Sequence, residues 1–413
     1  MDIVALKEET FDNFLLKAKE INKIQIQQAL ENYDKEIYCS IDHNRFVLIR
    51  LDERTILSSY GIIKFKRRYY YDYFLGQYCY LLDNKLYLPK SKRMTNELIL
   101  KILDLASIMS YKDVGEHLSD EFTLSKSTIC KTIKEVLLEV NFYNEIDRGN
   151  NKIHIQIDEK FIGMINSTNK RKYYTLTIFA GKENNGKTSK LLNKTVISSA
   201  FLDKLKIKVN DLLINRYHVS INEEVFISGD FATYIKHFGE SITCCKSRYV
   251  PDKFHVYKAL RDTIPDVYVD DESLVNRDFQ KYLIKELSNI EDINAYKLKS
   301  LLIKNPSCFE TYLDKEYLGC SQECQNSHIY APRFGKYANR FCPSTIEKLS
   351  LIREAKVMKA KVTLVYKNRI LPDDIMFKLP ELDLEDPIQY ALDTRNMKHD
   401  TRKLFNAIKY GYV

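Results

Sequence analysis

Two aspartates occupy matched places in this chain. In the run IHIQIDEKFIG, strand alternation puts Ile153, Ile155 and Ile157 on one face and His154, Gln156 and Asp158 on the other. The strand therefore delivers a carboxylate at its end, on the face away from the isoleucines. The run EVFISGD does the same with Asp230, immediately before the helix-forming FATYIKHF, and strand ends of this type are where α/β folds collect their ligands. Aspartates from two neighbouring strands can share a divalent metal. Mg2+ takes hard oxygen ligands in octahedral geometry, and phosphoryl transfer with two metals about 3.5–4 Å apart requires at least one carboxylate that bridges both. A third acid completes such a set. Ser321 reads as a helix N-cap with Glu323 in the first turn and Pro332 closing the segment, which makes Glu323 the leading candidate, with Glu316 and Glu347 as competitors. Each acid alone is as well explained as a cap or a helix-dipole partner. The conjunction of the two strand-end aspartates carries more weight.

Two further sets lie near these acids. His255, one helical turn before Lys258 in DKFHVYKAL, is placed to orient a phosphate or an attacking hydroxyl, or else to be a hydrogen-bonded core histidine. Cys320, Cys324 and His328 fall at i, i+4 and i+8 with Cys342 available as a fourth zinc ligand. No CxxC knuckle occurs in the chain, so small buried thiols are the default for these cysteines.

Cations concentrate earlier in the chain. Residues 61–100 hold eight Lys and Arg against three Asp and Glu, and the run GIIKFKRRYYYDYF sets Lys64, Lys66, Arg67 and Arg68 beside Tyr69, Tyr70 and Tyr71. Cations interleaved with stacking rings suit a nucleic-acid surface; an edge strand guarded by charge has the same composition. Residues 95–142 turn helical, and SYKDVGEHLSDEFTLSKSTICKTIKEVL has the layout of a helix-turn-helix. Ser110 and Asp113 form a capping box, and Ser125 opens a second helix. Val114, Leu118, Leu124, Ile129 and Ile133 then face inward. Lys126, Ser127, Thr128 and Lys131 face outward near the helix N-terminus, where such helices meet bases and phosphates. A plain three-helix packing module fits the same pattern.

The elements that must position the acids follow from periodicity. Residues 3–31 have helical spacing, residues 45–90 read as a small antiparallel sheet, and after the polar break DRGNNK come three strand-like runs in series. A helix over about 201–217, the strand EVFISGD and the shorter run ITCCKSRYV complete the order of a ribonuclease-H-like fold, in contrast to a doubly wound repeat. Residues 259–320 are helical in pattern. The expected fold class is α/β, a ribonuclease-H-like catalytic core with an α-helical insertion, preceded by a small β-sheet and a helix-turn-helix-like helical region. The expected divisions are 1–44, 45–92, 93–148, 149–258, 259–320, 321–360 and a C-terminal tail, 361–413. A length of 413 residues, 45% hydrophobic and 29% charged with 12 Gly and 9 Pro, excludes a disordered or fibrous chain. Nine scattered cysteines read as reduced thiols. No apolar run reaches the roughly 18–20 residues of a membrane helix, and MDIVALKEET is too acidic for a signal peptide, so a cytosolic protein is expected.

The blocks IDEKFIG, GDFATYIK, VPDKFHVYKAL and GCSQECQNSH, in that order, together with SSYGIIKFKRRYYYD, resemble bacterial insertion-sequence transposases of the ISLre type, over roughly residues 45–355. These belong to the ribonuclease-H-like DDE class, related to mutator-like transposases, and the same sequence type populates an uncharacterised protein family. The resemblance implies Asp158, Asp230 and Glu323 as the catalytic and metal-binding acids. It implies two Mg2+ or Mn2+ ions, and cleavage of double-stranded element ends followed by strand transfer into target DNA. A homo-oligomer working on DNA in the bacterial cytoplasm, at the nucleoid, completes the expectation. Phe231 and Cys324 stand where that family carries small residues. A repurposed, non-catalytic DNA-binding protein and a stand-alone metal-dependent nuclease are the rival expectations.

Overall fold

The computed structural model describes residues 11–365 apart from 87, 89–92, 141–145, 166–169, 187 and 336–339. It divides into two units, which part at residues 137 and 138. The tail from 366 onward lies outside the described residues.

In the first unit, helix α1 (Phe11–Ser40) lies on the antiparallel sheet of β1 (Phe46–Ser58), β2 (Gly61–Asp72) and β3 (Gln77–Cys79). Ile37, Phe46, Ile56, Ile63, Phe65, Tyr70 and Leu82 form its core. Gly61, at φ +112°, makes the β1–β2 turn, and a Cβ there would strike the Glu121 carboxylate, which accepts the Ile62 amide at 2.9 Å. The run YCYLLDNKLYL, within the stretch 45–90 expected to be sheet, leaves the sheet after Cys79. It turns into α2 (Leu81–Lys85), because Leu81 and Leu82 bury against the sheet and Asp83 turns in to meet arginines. Next come α3 (Asn96–Ala106), α4 (Tyr111–His117) and α5 (Lys126–Glu135). Val114, Leu118, Ile129 and Ile133 are buried as expected, and Leu124 is half-buried. Ser110 accepts from the Asp113 amide and Ser125 from the Thr128 amide, so both expected N-caps form.

The second unit contains β4 (Leu137–Val140) at its start, then β5 (His154–Gly163), β6 (Lys170–Phe179), the hairpin β7 (Lys182–Asn185) and β8 (Thr188–Leu191), and β9 (Thr195–Ser199). Helix α6 (Leu202–Asn215), β10 (Glu224–Gly229), α7 (Thr233–Glu240) and β11 (Lys246–Pro251) follow. The helical stretch is α8 (Lys253–Thr263), α9 (Asp271–Val275), α10 (Arg277–Ser288), α11 (Ile293–Lys304) and a 3-10 segment, Pro306–Leu313. The chain closes through α12 (Gln322–Gln325), a π-helical turn Asn326–Tyr330, α13 (Ala331–Phe334), α14 (Pro343–Val357) and β12 (Val362–Val365). This unit begins about ten residues before the expected break at 149. The reason is packing: β4 pairs with β12, and Val140 and Ile146 lie on the core of the second unit.

The central sheet has the order β11-β10-β5-β6-β9. β5, β10 and β11 are parallel, while β6 is antiparallel to both β5 and β9. Ile155, Ile157, Leu176, Ile178, Ile197 and Ile227 point to one face, where α6 and α7 seal a dry core. The opposite face carries His154, Gln156 and Asp158, and α12 packs there on β5 and β6. Phe226 and Val250 instead bury under α8, α10 and α11, whose apolar positions form a second core in this unit.

Candidate functional site

Strand β5 places Asp158 and β10 leads into Asp230. In their parallel register Ile227 lies opposite Ile155 and Ser228 opposite Gln156, so two residues further Asp230 comes level with Asp158. Adjacent strands lie about 4.7–4.9 Å apart, and the two aspartates are near enough for the charge of Asp230 to act on Asp158. Gly229 permits the approach: a Cβ there would stand 2.6 Å from the Ile157 carbonyl oxygen. Burial holds the Asp158 carboxyl above the usual carboxylate range, and the charge of Asp230 pushes it further. Two donors oppose this shift, the Glu159 amide at 2.7 Å and Asn326 Nδ2 at 2.7 Å. Asp230 is itself fixed, since its Oδ1 accepts the Ala232 amide at 2.9 Å and its carbonyl accepts the Tyr249 hydroxyl at 3.0 Å.

Glu323 arrives by another route. Gln156, two residues before Asp158 on the same face, donates from Nε2 to the Gly319 carbonyl at 2.8 Å and accepts at Oε1 from the Ser321 amide at 3.0 Å and the Ser321 hydroxyl at 3.2 Å. Ser321 therefore stands at the N-cap position without a side-chain capping bond, because its hydroxyl is taken up by Gln156. Gln322 Nε2 donates to Thr175 on β6 at 3.2 Å, and one turn later Asn326 reaches Asp158. The residue that does so opens the π-helical turn, a distortion that often marks functional sites.

His255 joins the acids. Its Nδ1 lies 2.6 Å from Asp252 Oδ2, and its Nε2 lies 3.5 Å from Glu323 Oε1. The Asp252 bond raises the histidine pKa against burial, and Glu323 and Asp230 add to the rise. His255 is thus half-buried among carboxylates, not a core histidine, and Lys258 is exposed on the same helix. The competing acids lie elsewhere: exposed Glu316 pairs with Lys152 at 3.9 Å, and Glu347 accepts from Ser199 at 3.0 Å. Among the described residues no three His, Cys, Asp or Glu side chains form a ready-made metal-binding group. Cys324 and His328 are exposed, and burial pushes the Cys320 thiol up. Gln156, Asn326 and Asp252 were not singled out by the sequence; only Gln156 shared a legible signal, its place on the Asp158 face.

The cations of the first unit sort into two kinds. Lys64 and Lys66 are exposed on β2. Arg67 is only 12% exposed, lies 3.5 Å over the Tyr80 ring and pairs with Asp83, which also takes Arg54 at 2.5 Å. Burial and the neighbouring Arg54 lower its pKa to about 10. Arg68 Nη1 meets the buried Asp34 at 2.6 Å. Both arginines thus carry internal ion pairs. On α5, Lys126, Ser127 and Lys131 are exposed, but the Ser127 and Thr128 hydroxyls bond to the cap Ser125 at 2.8 Å and 2.9 Å.

Comparison with known proteins gives a family. The family model for "Uncharacterised protein family (UPF0236)" matches residues 5–289. A UPF0236 protein of Caldanaerobacter subterraneus subsp. tengcongensis, TTE2489, is 25% identical over 345 residues, covering 78% of this chain and 70% of its own. Another from the same strain is 24% identical over 342 residues with the same coverage, and its name joins eleven designations, TTE0033 through TTE2212. A third, whose name joins four, is 24% identical over 342 residues, again covering 78% of this chain and 70% of its own. The chain belongs to the uncharacterised protein family UPF0236.

Proposed function

We propose that this member of UPF0236 is a DNA transposase that cleaves element ends and joins the freed 3′-hydroxyl to target DNA. The observation that carries this reading is the level register of Asp158 and Asp230 on adjacent parallel strands, with Glu323 beside them at His255; Asp230 follows the end of β10, whereas Asp158 lies midway along β5, which runs on to Gly163 beyond the end expected from the sequence. The strand order supports it. A central first strand, an antiparallel second strand and then a third on one side and two parallel strands on the other, with a helix between the two sets, is the arrangement of a ribonuclease-H-like core. The relatives support it from another direction: eleven designations under one name in one genome are what an element that moves leaves behind.

The donor set suits a hard divalent cation such as Mg2+ or Mn2+. All three acids offer oxygen, and burial, with the charge of Asp230 added, raises the Asp158 pKa, a cost to the carboxylate that a cation offsets. Asp158, Asp230 and Glu323 would hold it, and when bound it supplies Lewis acidity for phosphoryl transfer. The chain's own groups orient the acids. Asn326 and the Glu159 amide fix the two oxygens of Asp158, Gln156 anchors the segment that carries Glu323, and His255, held by Asp252, presents its second nitrogen to Glu323. The nucleophile is water or the DNA hydroxyl, so no protein side chain becomes covalently attached. Lys64, Lys66 and Lys126 are exposed cations placed to meet duplex phosphates, and Lys131, exposed on α5, shares its charge with Glu135 at 3.8 Å. Acting on two ends of one element calls for more than one copy of the chain, in the compartment that holds the chromosome.

A strand-transfer assay tests the reading, with an oligonucleotide bearing the terminal inverted repeat that flanks the gene, in Mg2+ or Mn2+. Wild type should nick and join it. Asp158→Asn should bind within a few fold and do neither, since affinity comes from phosphate contacts elsewhere. Cutting without joining would make the protein a nuclease, and binding without metal-dependent cutting would make it a repurposed DNA-binding protein.

A further inference from the structure

We infer that Lys160 is a phosphate-binding residue of this site, the cation that meets the phosphodiester beside Asp158 and Asp230; the inference rests on the DNA reading above. Alternation along β5 puts Lys160 on the same face as Asp158, two residues further toward the strand end. In the antiparallel register Asp158 lies opposite Thr175 and Lys160 opposite Tyr173. Tyr173 is fully buried, with its hydroxyl 3.0 Å from Ser198, so the foot of the lysine stands on a rigid floor. Lys160 itself is half-buried, and that burial lowers its pKa while the charge of Asp158 raises it.

Charge makes the assignment. Asp158, Asp230 and Glu323 set three carboxylates against one imidazole, a field that repels a phosphodiester. The other cations nearby are engaged: Lys172 holds Glu159 at 2.8 Å, Lys194 donates to Gln325 at 3.1 Å, Lys253 pairs with Asp271 at 2.6 Å and His255 with Asp252 at 2.6 Å. Lys160 has no such partner among the described residues, and the acid whose charge it feels is Asp158. A lysine ammonium is a compact point charge able to follow a phosphate oxygen without a fixed fork geometry.

The test is equilibrium binding in EDTA of a fluorescein-labelled duplex carrying the terminal inverted repeat, titrated from about 50 to 200 mM salt. Lys160→Met keeps the apolar stem and should lower the slope of log K against log salt by about 0.9, the value for one lost phosphate contact. Lys160→Arg should restore it. An unchanged slope in Lys160→Met, with wild type binding normally, overturns the assignment even if the melting temperature falls, since that pattern is a packing role. Should Lys160→Met not fold, Lys160→Gln gives the same measurement. If wild type binds the duplex without salt dependence, the DNA reading fails first and this assignment with it.

Discussion

Arg67 and Arg68 stand in KRRYYYD, a composition shared by nucleic-acid surfaces and by sheets that neutralise their own charges. Burial separates the two cases. Arg67 is stacked on Tyr80 and paired with Asp83, and Arg68 is held by Asp34, whereas Lys64 and Lys66 reach solvent from the same strand. Asp83 keeps Arg54 when Arg67 is removed, so Arg67→Ala loses chiefly the desolvated stack on Tyr80 and should destabilise the first unit by about 2 kcal/mol. Lys64→Ala with Lys66→Ala should leave stability nearly unchanged and, if both meet phosphates, reduce the salt slope of DNA binding by about 1.8, twice the single-contact value. Denaturant melts and salt titrations of the two variants decide this. Arg67→Ala with wild-type stability would mean that its charge is not structural. The difference was not legible in the sequence, because Asp34 and Asp83 are brought to the arginines by α1 and α2 rather than by neighbouring positions. Asp158 and Asp230 were legible because alternation is a local property, readable without the fold; the strand end held for Asp230 only, since β5 continues five residues past Asp158 to Gly163.

The helical run from α12 to α13 shows the opposite limit. Its N-cap reading at Ser321 and its i, i+4, i+8 spacing both assumed a regular helix. The π-helical turn Asn326–Tyr330 changes the register, delivers Asn326 to Asp158, and leaves Cys324 and His328 exposed. Helix α14 holds that turn in place. Arg353 donates to the Ile329 carbonyl and, at 3.2 Å, to the His328 carbonyl; buried Glu354 accepts the Tyr330 hydroxyl at 3.0 Å and the Ser198 hydroxyl. Tyr330→Phe deletes one donor to a buried carboxylate and should cost about 1–3 kcal/mol. The pH dependence has a definite sign. Burial raises the Glu354 pKa above its usual 4.5, against the pull of the nearby Lys208 and the two hydroxyls, while Glu347 adds to the rise. The native state then binds the proton more tightly than the unfolded chain. Stability contributed by this group is present at acid pH and falls as pH rises from about 4.5 through the raised value. Glu354→Gln keeps both acceptor contacts and removes the titration, so its stability curve should lack that fall. Parallel curves for wild type and Glu354→Gln as pH rises above about 4.5 would contradict it.

On the scale of the whole chain, the order of strands and helices was readable because each strand's periodicity is intrinsic: β5, β6, β9, β10 and β11 all fall where alternation placed them. The boundary between units was not. DRGNNK has the composition of a linker, but Arg148 binds the Tyr217 carbonyl at 2.8 Å and Glu223 at 2.7 Å, so the polar break is folded into the second unit. Composition reports solvation, while the boundary depends on which core the flanking apolar residues join. Val140 and Ile146 join the second one. Each unit has its own apolar core, the first around Phe46, Phe65 and Tyr70 and the second around the central sheet. Units stabilised by separate cores unfold as separate cooperative transitions unless an interface couples them. Calorimetry of the intact chain should therefore resolve two transitions, with Arg67→Ala lowering one and Tyr330→Phe lowering the other. At about 2–8 °C per kcal/mol for units of this size, both shifts are large enough to assign. A single transition moved by both substitutions would instead require an extensive coupling surface between the units. Two transitions, of which added Mg2+ raises only the one that Tyr330→Phe lowers, would place the carboxylate site within residues 138–365.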